Sequence, residues 1–286
     1  MENRKSLIFI TFVGFLFLPL FVSAYKPDTT HKGLTRDVLK FYEHYYQNKF
    51  TEDEKIFIEK GAIDEDSGAR ALNHFYDPVY NKGVALTSKD WAGNTQAQAT
   101  KSVSYLAGLG NATQGYFSSA TDYSWHLIED ATVPDHTRDD PHPDFIYRDT
   151  FGQESPYENF TGQFDGSNIS VSKNLINEGL KPVLYSSLNE YFDKVANYSN
   201  NNFFSKDTIL ISKYQEPIIK NERKELLKDG VFHNFGFNKL GARLVEIESH
   251  LDLNTRTIKF TYLIKDNDYL ILTDYWNLLS RSAVLN

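Results

Sequence analysis

The chain has 286 residues, 30 basic and 38 acidic, for a formal net charge of −8, and 41% of it is hydrophobic. That composition excludes disorder as the main state, and the acidic balance argues against gripping nucleic acid through a basic surface. There is no cysteine, so disulfides, thiolate metal sites and cysteine nucleophiles are excluded, and any metal must be held by His, Asp, Glu or backbone atoms.

Residues 1–24 read as a secretory signal. Arg4 and Lys5 precede an apolar run from Leu7 to Val22, and Val22-Ser23-Ala24 offers small residues for cleavage. The expected product is exported, periplasmic or extracellular, and begins at Tyr25. Helical spacing of Leu34, Val38, Phe41, Tyr42 and Tyr45 predicts a first helix, with Thr30 or Thr35 as its cap. A second is expected over Glu52 to Lys60 behind Thr51, a third over Ala97 to Leu109, and a fourth from Ala112 to Asp130, ended by Pro134. Ser155-Pro156-Tyr157-Glu158 has the form of a capping box that opens a fifth. Two more are expected between Leu175 and Val195. Leu251 to Leu272 is predicted to hold a β-hairpin, Ile258–Ile264 against Tyr269–Leu272, before a last helix from Tyr275 to Leu285. The expected fold is therefore mainly α: one multi-helix domain over residues 25–286 with a small β insertion at about 251–272.

Six of the eight histidines precede the midpoint, several at spacings that suit a metal. His126 and Asp130 lie four apart, on one face of a predicted helix. His136 follows the Pro134 break, and His142 follows Thr137-Arg138-Asp139-Asp140-Pro141. His74 sits in Asn73-His74-Phe75-Tyr76-Asp77-Pro78, just after Asp64-Glu65-Asp66. His31 lies six residues beyond Tyr25, whose α-amine and carbonyl would chelate a metal through backbone atoms once the signal is removed. Each of these has a plainer use: helical His–Asp pairs occur on surfaces, Asp-Pro ends helices, and Glu158 serves a cap. His44, His233 and His250 read as structural.

Taken in order, Thr30-His31 with Leu34-Thr35, the Asn73–Pro78 segment, His126-x-x-x-Asp130 followed by Val133-Pro134-x-His136, and Pro156-Tyr157-Glu158-Asn159-Phe160 resemble the zinc-dependent phospholipase C family. That family shares its fold with single-strand-specific nucleases. The resemblance covers Tyr25 to about Phe160 and implies a helical domain with up to three zinc ions. Tyr25, standing where the family has an N-terminal Trp, and His31 would bind one zinc, and Asp130 would bridge it to a second. The second would take His74, His126 and an acid, Asp66 ahead of Glu65. The third would take His136 and Glu158. The family's further histidine falls at Glu154 here, so His142 is preferred as the substitute, with Glu154 as the alternative. Asp66 is the expected catalytic base, and Arg138 a phosphate clamp unless it pairs with Asp139 or Asp140. The implied substrate is a phospholipid or another phosphodiester, with transient membrane contact; nucleic acid fits the acidic charge less well. Two alternatives stand beside it, a nuclease of the same superfamily and a non-catalytic exported protein stabilised by zinc. The final helix also ends early for that family, which reads as a shortened C-terminus.

Overall fold

The computed structural model describes residues 25–46, 49–66, 68–93, 125–138, 140 and 155–286. The signal segment, the helix expected at Ala97 to Leu109, most of the one before Asp130, His142 and Glu154 lie outside those residues.

Pro27–His31 form a π-helical turn that runs directly into helix α1 (Lys32–Tyr45). Neither expected threonine caps it. The Thr30 hydroxyl donates to the Thr161 carbonyl at 2.8 Å and the Thr35 hydroxyl to Glu129 at 3.1 Å. Helix α2 (Glu52–Glu65) opens on a true capping box, with Thr51 Oγ1 accepting from the Glu54 amide and the Glu54 carboxylate accepting from the Thr51 amide. It runs one turn past the expected end, so its C-cap is Asp66.

A 3-10 turn (Gly68–Asn73) and helix α3 (Ser88–Gly93) follow. Residues 125–130 are helical (α4), and Pro134 both ends that helix and starts the one-turn α5 (Pro134–Thr137), where its missing N–H costs nothing. Helix α6 (Pro156–Thr161) starts as predicted, with Ser155 accepting from the Glu158 amide. Helices α7 (Val171–Asn177) and α8 (Leu188–Asn202) are the expected pair.

The C-terminal part departs from the mainly α expectation. It holds a four-stranded antiparallel sheet in the order β1-β2-β3-β4, made of β1 (Asn221–Leu226), β2 (Phe232–Phe237), β3 (Arg243–Asp252) and β4 (Thr257–Leu263). The architecture is therefore mixed α/β, with helices first and a sheet before the last helix. The predicted hairpin is also misplaced: Ile258–Leu263 pairs back with β3, Leu251 facing Ile258, and Tyr269–Leu272 belongs to the start of α9 (Leu270–Leu285). The cause is a cap. Asp266 accepts from the amides of Asp268, Leu270 and Ile271 at 2.9, 3.0 and 2.8 Å, while Tyr269 takes a left-handed φ of 56°. A short apolar run such as Leu270-Ile271-Leu272 fits strand and helix equally, and here the carboxylate decides.

Sheet and helices share one core, in which Tyr25, Leu34, Tyr157, Phe203, Val245 and Tyr275 are buried together. A second cluster joins α4 to α8 through Leu127, Ile128, Phe192 and Val195. These two cores hold α1, α4 and α6 against one another, and the polar residues between them form the site.

Candidate metal centre

His31, Asp66, His74, His126 and Asp130 converge in the interior from α1's entry, the end of α2, the segment after the 3-10 turn, and α4. All but Asp66, at 6% exposure, are fully buried. Asp130 stands at the centre. Its Oδ1 lies 3.2 Å from His31 Nε2, and its Oδ2 lies 2.9 Å from His74 Nδ1 and 3.3 Å from His126 Nε2. Asp66 spans the same gap, with Oδ1 3.4 Å from His74 Nδ1 and 3.6 Å from His126 Nε2, and Oδ2 4.0 Å from His31 Nε2. Two ligand groups are complete enough to hold an ion, His31–Asp66–His126 and His74–His126–Asp130. His126 belongs to both, a sharing that the family resemblance does not anticipate.

The imidazoles are oriented from behind. His31 Nδ1 lies 2.7 Å from Glu129 Oε2, and Thr35 donates to the other Glu129 oxygen. His126 Nδ1 lies 2.6 Å from the Ala62 carbonyl. An N–H fixed on Nδ1 leaves the Nε2 lone pair aimed inward, the tautomer a metal ligand needs. The two rings also stack, with centroids 3.7 Å apart. Such a stack suits two neutral imidazoles and resists two cations.

Burial and these contacts set the charges of the metal-free cluster. Desolvation pushes the His126 pKa down, but Asp130 and Asp66 outweigh it and hold it well above the ordinary value. Burial pushes Asp130 up, yet His126 and His74 hold it well below the usual carboxylate range. His31 is raised in net, burial and His126 being overcome by Asp130 and Glu129. Glu129 itself is raised by its burial, which the His31 contact only reduces.

The donor set is nitrogen and oxygen at spacings that a tetrahedral ion bound at about 2.0–2.1 Å would impose, about 3.3 Å between donors. Both ring nitrogens of His74, His126 Nε2 and both oxygens of Asp130 are buried yet make no hydrogen bond. Buried polar atoms left so are costly, and a cation among them removes the cost. The residues fit a metal.

Tyr25 is fully buried and pinned by its hydroxyl, 3.0 Å from Thr132 Oγ1 and 3.2 Å from the Tyr157 hydroxyl. Its backbone N thereby comes 3.4 Å from His31 Nε2. A third pair lies beside the cluster: His136 Nε2 is 3.2 Å from Glu158 Oε1, and His136 Nδ1 is 3.2 Å from the His74 carbonyl. The His74 and His136 rings are 6.4 Å apart. The expected completing ligands, His142 and Glu154, fall outside the described residues.

Two alternatives separate. Asp66, not Glu65, enters the cluster. Glu65 accepts from Arg70 Nε at 2.8 Å and Trp91 Nε1 at 2.7 Å, and stays 3.9 Å from His74 Nε2. Arg138 does not join the site. Its buried guanidinium donates to the Asn200 carbonyl, Thr208 Oγ1 and the Gln215 carbonyl at 3.0, 3.1 and 2.7 Å, so it ties α5 to the chain after α8. Of its two expected partners, Asp140 accepts from the Asp207 amide at 3.1 Å, and Asp139 lies outside the described residues. Sequence reasoning missed Glu129 and Thr35. Their signal is local: Glu129 adjoins Asp130, and Thr35 lies one turn beyond His31. It also missed that His233 has acidic partners, with Asp229 at 2.9 Å and Glu246 on its other nitrogen.

The fold and the site define an α/β protein with a buried, multi-histidine cluster that can hold metal ions. Compared with protein-family models, curated proteins and solved structures, the chain finds no match in any of the three.

Proposed function

We propose that this chain is an exported zinc-dependent phosphodiester hydrolase of the phospholipase C type. One observation carries the reading: the two oxygens of Asp130 are divided between His31 on one side and His74 with His126 on the other, as a carboxylate bridging two adjacent cations would be. Zinc suits histidine and carboxylate donors, and when bound supplies a water acidified to near neutrality and a Lewis acid for phosphoryl oxygens. His31, His74, His126, Asp66 and Asp130 would hold two ions, with the Tyr25 amine joining His31 once residues 1–24 are removed. His136 and Glu158 would hold a third, completed by His142. Asp66 is the one cluster member with some exposure, which suits a base that orients the attacking water and takes its proton. Glu129 and the Ala62 carbonyl keep the Nδ1 protons of His31 and His126 away from the reacting side.

The test is zinc per chain, by elemental analysis, on protein processed at Tyr25, followed by hydrolysis of phosphatidylcholine and of single-stranded nucleic acid. Two or three zinc ions with lipid turnover that Asp66→Asn abolishes is the expected result. Turnover of nucleic acid alone would move the protein to the nuclease branch. Zinc without turnover would leave a zinc-stabilised binding protein, and no zinc would end the metalloenzyme reading.

A further inference from the structure

We infer that Glu65 is a positioning residue, whose carboxylate holds the outer nitrogen of His74 so that the inner one can serve as a metal ligand. The inference rests on the metal centre of the reading above and is independent of its substrate.

His74 stands in the cluster the other way round from its neighbours. His31 and His126 turn Nε2 toward Asp130, and each has an acceptor behind it at Nδ1, Glu129 for one and the Ala62 carbonyl for the other. His136 likewise sets Nδ1 against the His74 carbonyl. His74 instead turns Nδ1 inward, 2.9 Å from Asp130 Oδ2 and 3.4 Å from Asp66 Oδ1. Its Nε2 is buried and makes no hydrogen bond. A cation held at Nδ1 would satisfy only one side of the ring. The proton of the neutral imidazole then sits on Nε2, which needs an acceptor of its own.

Glu65 is placed to be that acceptor. Its Oε1 lies 3.9 Å from His74 Nε2, and both residues are fully buried. Oε2 accepts from Arg70 Nε at 2.8 Å and from Arg70 Nη2, whereas Oε1 accepts from Trp91 Nε1 at 2.7 Å. A carboxylate offers about four lone-pair sites, so these three donors leave Oε1 room for the His74 proton. At 3.9 Å the pair is aligned but longer than a hydrogen bond, and it closes when the proton sits on Nε2.

The chain uses this device twice. Glu65-Asp66 and Glu129-Asp130 are both pairs in which the aspartate enters the cluster and the buried glutamate turns to the back of a histidine. A carboxylate in that place locks the tautomer and makes the opposite nitrogen a better donor to a cation. Arg70 offsets the charge that Glu65 would otherwise bury alone. It also lies over the Trp91 ring, 5.0 Å from the centroid, so the end of α2, the 3-10 turn and α3 together fix the carboxylate.

The experiment uses the chain processed at Tyr25 and loaded with zinc. Chelator competition reads affinity, and NMR of isotope-labelled histidine reads the ring protons. In the wild type, His74 should carry its proton on Nε2 and its metal on Nδ1. Glu65→Gln should release one zinc ion about 10–100-fold more readily and move the His74 Nε2 proton signal upfield, because the acceptor is no longer charged. Trp91→Phe removes a donor from the same carboxylate oxygen, so it should lower the melting temperature and leave zinc affinity unchanged. A zinc-loaded wild type with the His74 proton on Nδ1 would overturn the inference, even if Glu65→Gln failed to fold. Unchanged zinc affinity in Glu65→Gln would overturn it too, as would an equal loss in Trp91→Phe, which would make Glu65 a tie between elements. Wild type that binds no zinc would end the metal reading and this inference with it. Zinc that Glu65→Gln releases, in a protein that turns over no phosphodiester, would uphold the inference and refute the hydrolase reading alone.

Discussion

The histidine cluster and the outer end of the sheet break opposite rules of protein interiors. In the first, polar atoms of His74, His126 and Asp130 are buried without hydrogen bonds. In the second, Leu253, Phe232 and Ile258 face solvent. Both arrangements are unfavourable for an isolated chain, and a cation would offset the first. They differ in how the fold supports them. The cluster is held by Glu129, Thr35, Ala62 and the Tyr25 hydroxyl pair, so it is preorganised, whereas at the end of the sheet the β1–β2 turn is tied to Asp268 through the Lys228 amide and the β3–β4 end is held by its own ladder and turn.

The sharpest way to break that contrast is Asp130→Ala. It removes a ligand of the His74–His126–Asp130 group and the carboxylate that also faces His31, so bound metal should fall to one ion or none, with the metal's contribution to stability, several kcal/mol, lost as well. Elemental analysis and thermal melts with and without chelator check it, and the chelator should no longer shift the variant's melting temperature. Metal uptake by the wild type should release protons, because the neighbouring carboxylates raise the His126 and His31 pKa against burial in the metal-free cluster.

Arg138→Met comes next. The buried Asn200 carbonyl and the part-buried Gln215 carbonyl would each lose a donor, which costs about 1–3 kcal/mol in denaturant unfolding. KM on a phosphodiester should not move. A raised KM with unchanged stability would restore the phosphate clamp that the structure argues against.

Glu129→Gln tests the support of the cluster rather than its ligands. Losing the carboxylate behind His31 Nδ1 should weaken metal binding about 10–100-fold in a chelator competition, with the fold retained. An unchanged affinity would show that His31 is positioned by packing alone.

What the sequence disclosed follows the same division. The His126–Asp130 pair was legible because a helix turns a spacing of four into a shared face, and Pro134 marks its own break. Asp66 was placed in the cluster ahead of Glu65 by the family resemblance alone, since which of the two faces inward depends on α2 running beyond Lys60. Glu129 was hidden because a carboxylate next to a ligand looks like any helical charge. The sheet was the least legible part. Asn221–Leu226 is mostly charged and exposed, as an edge strand protected from further pairing should be, and shows no apolar alternation. The final helix was misread at its start because only the long-range view of Asp266 reveals the cap.

The smallest effect expected lies in the sheet and concerns His233. Glu246 and Asp229 raise its pKa above the ordinary value, and burial lowers it only slightly. A raised folded-state pKa adds stability that is fully present below about 6.5, the value in the unfolded chain, and is lost as pH rises through the folded value. The pair faces solvent in part, so the contribution is under about 1 kcal/mol. His233→Gln should therefore lower the melting temperature slightly at pH 6 and not at pH 9, in metal-loaded and chelated protein alike. A His233 proton titration by NMR gives the folded pKa directly. If the loss appeared only in chelated protein, the sheet and the cluster would be coupled, and the contrast between a preorganised centre and an independent hairpin surface would fail.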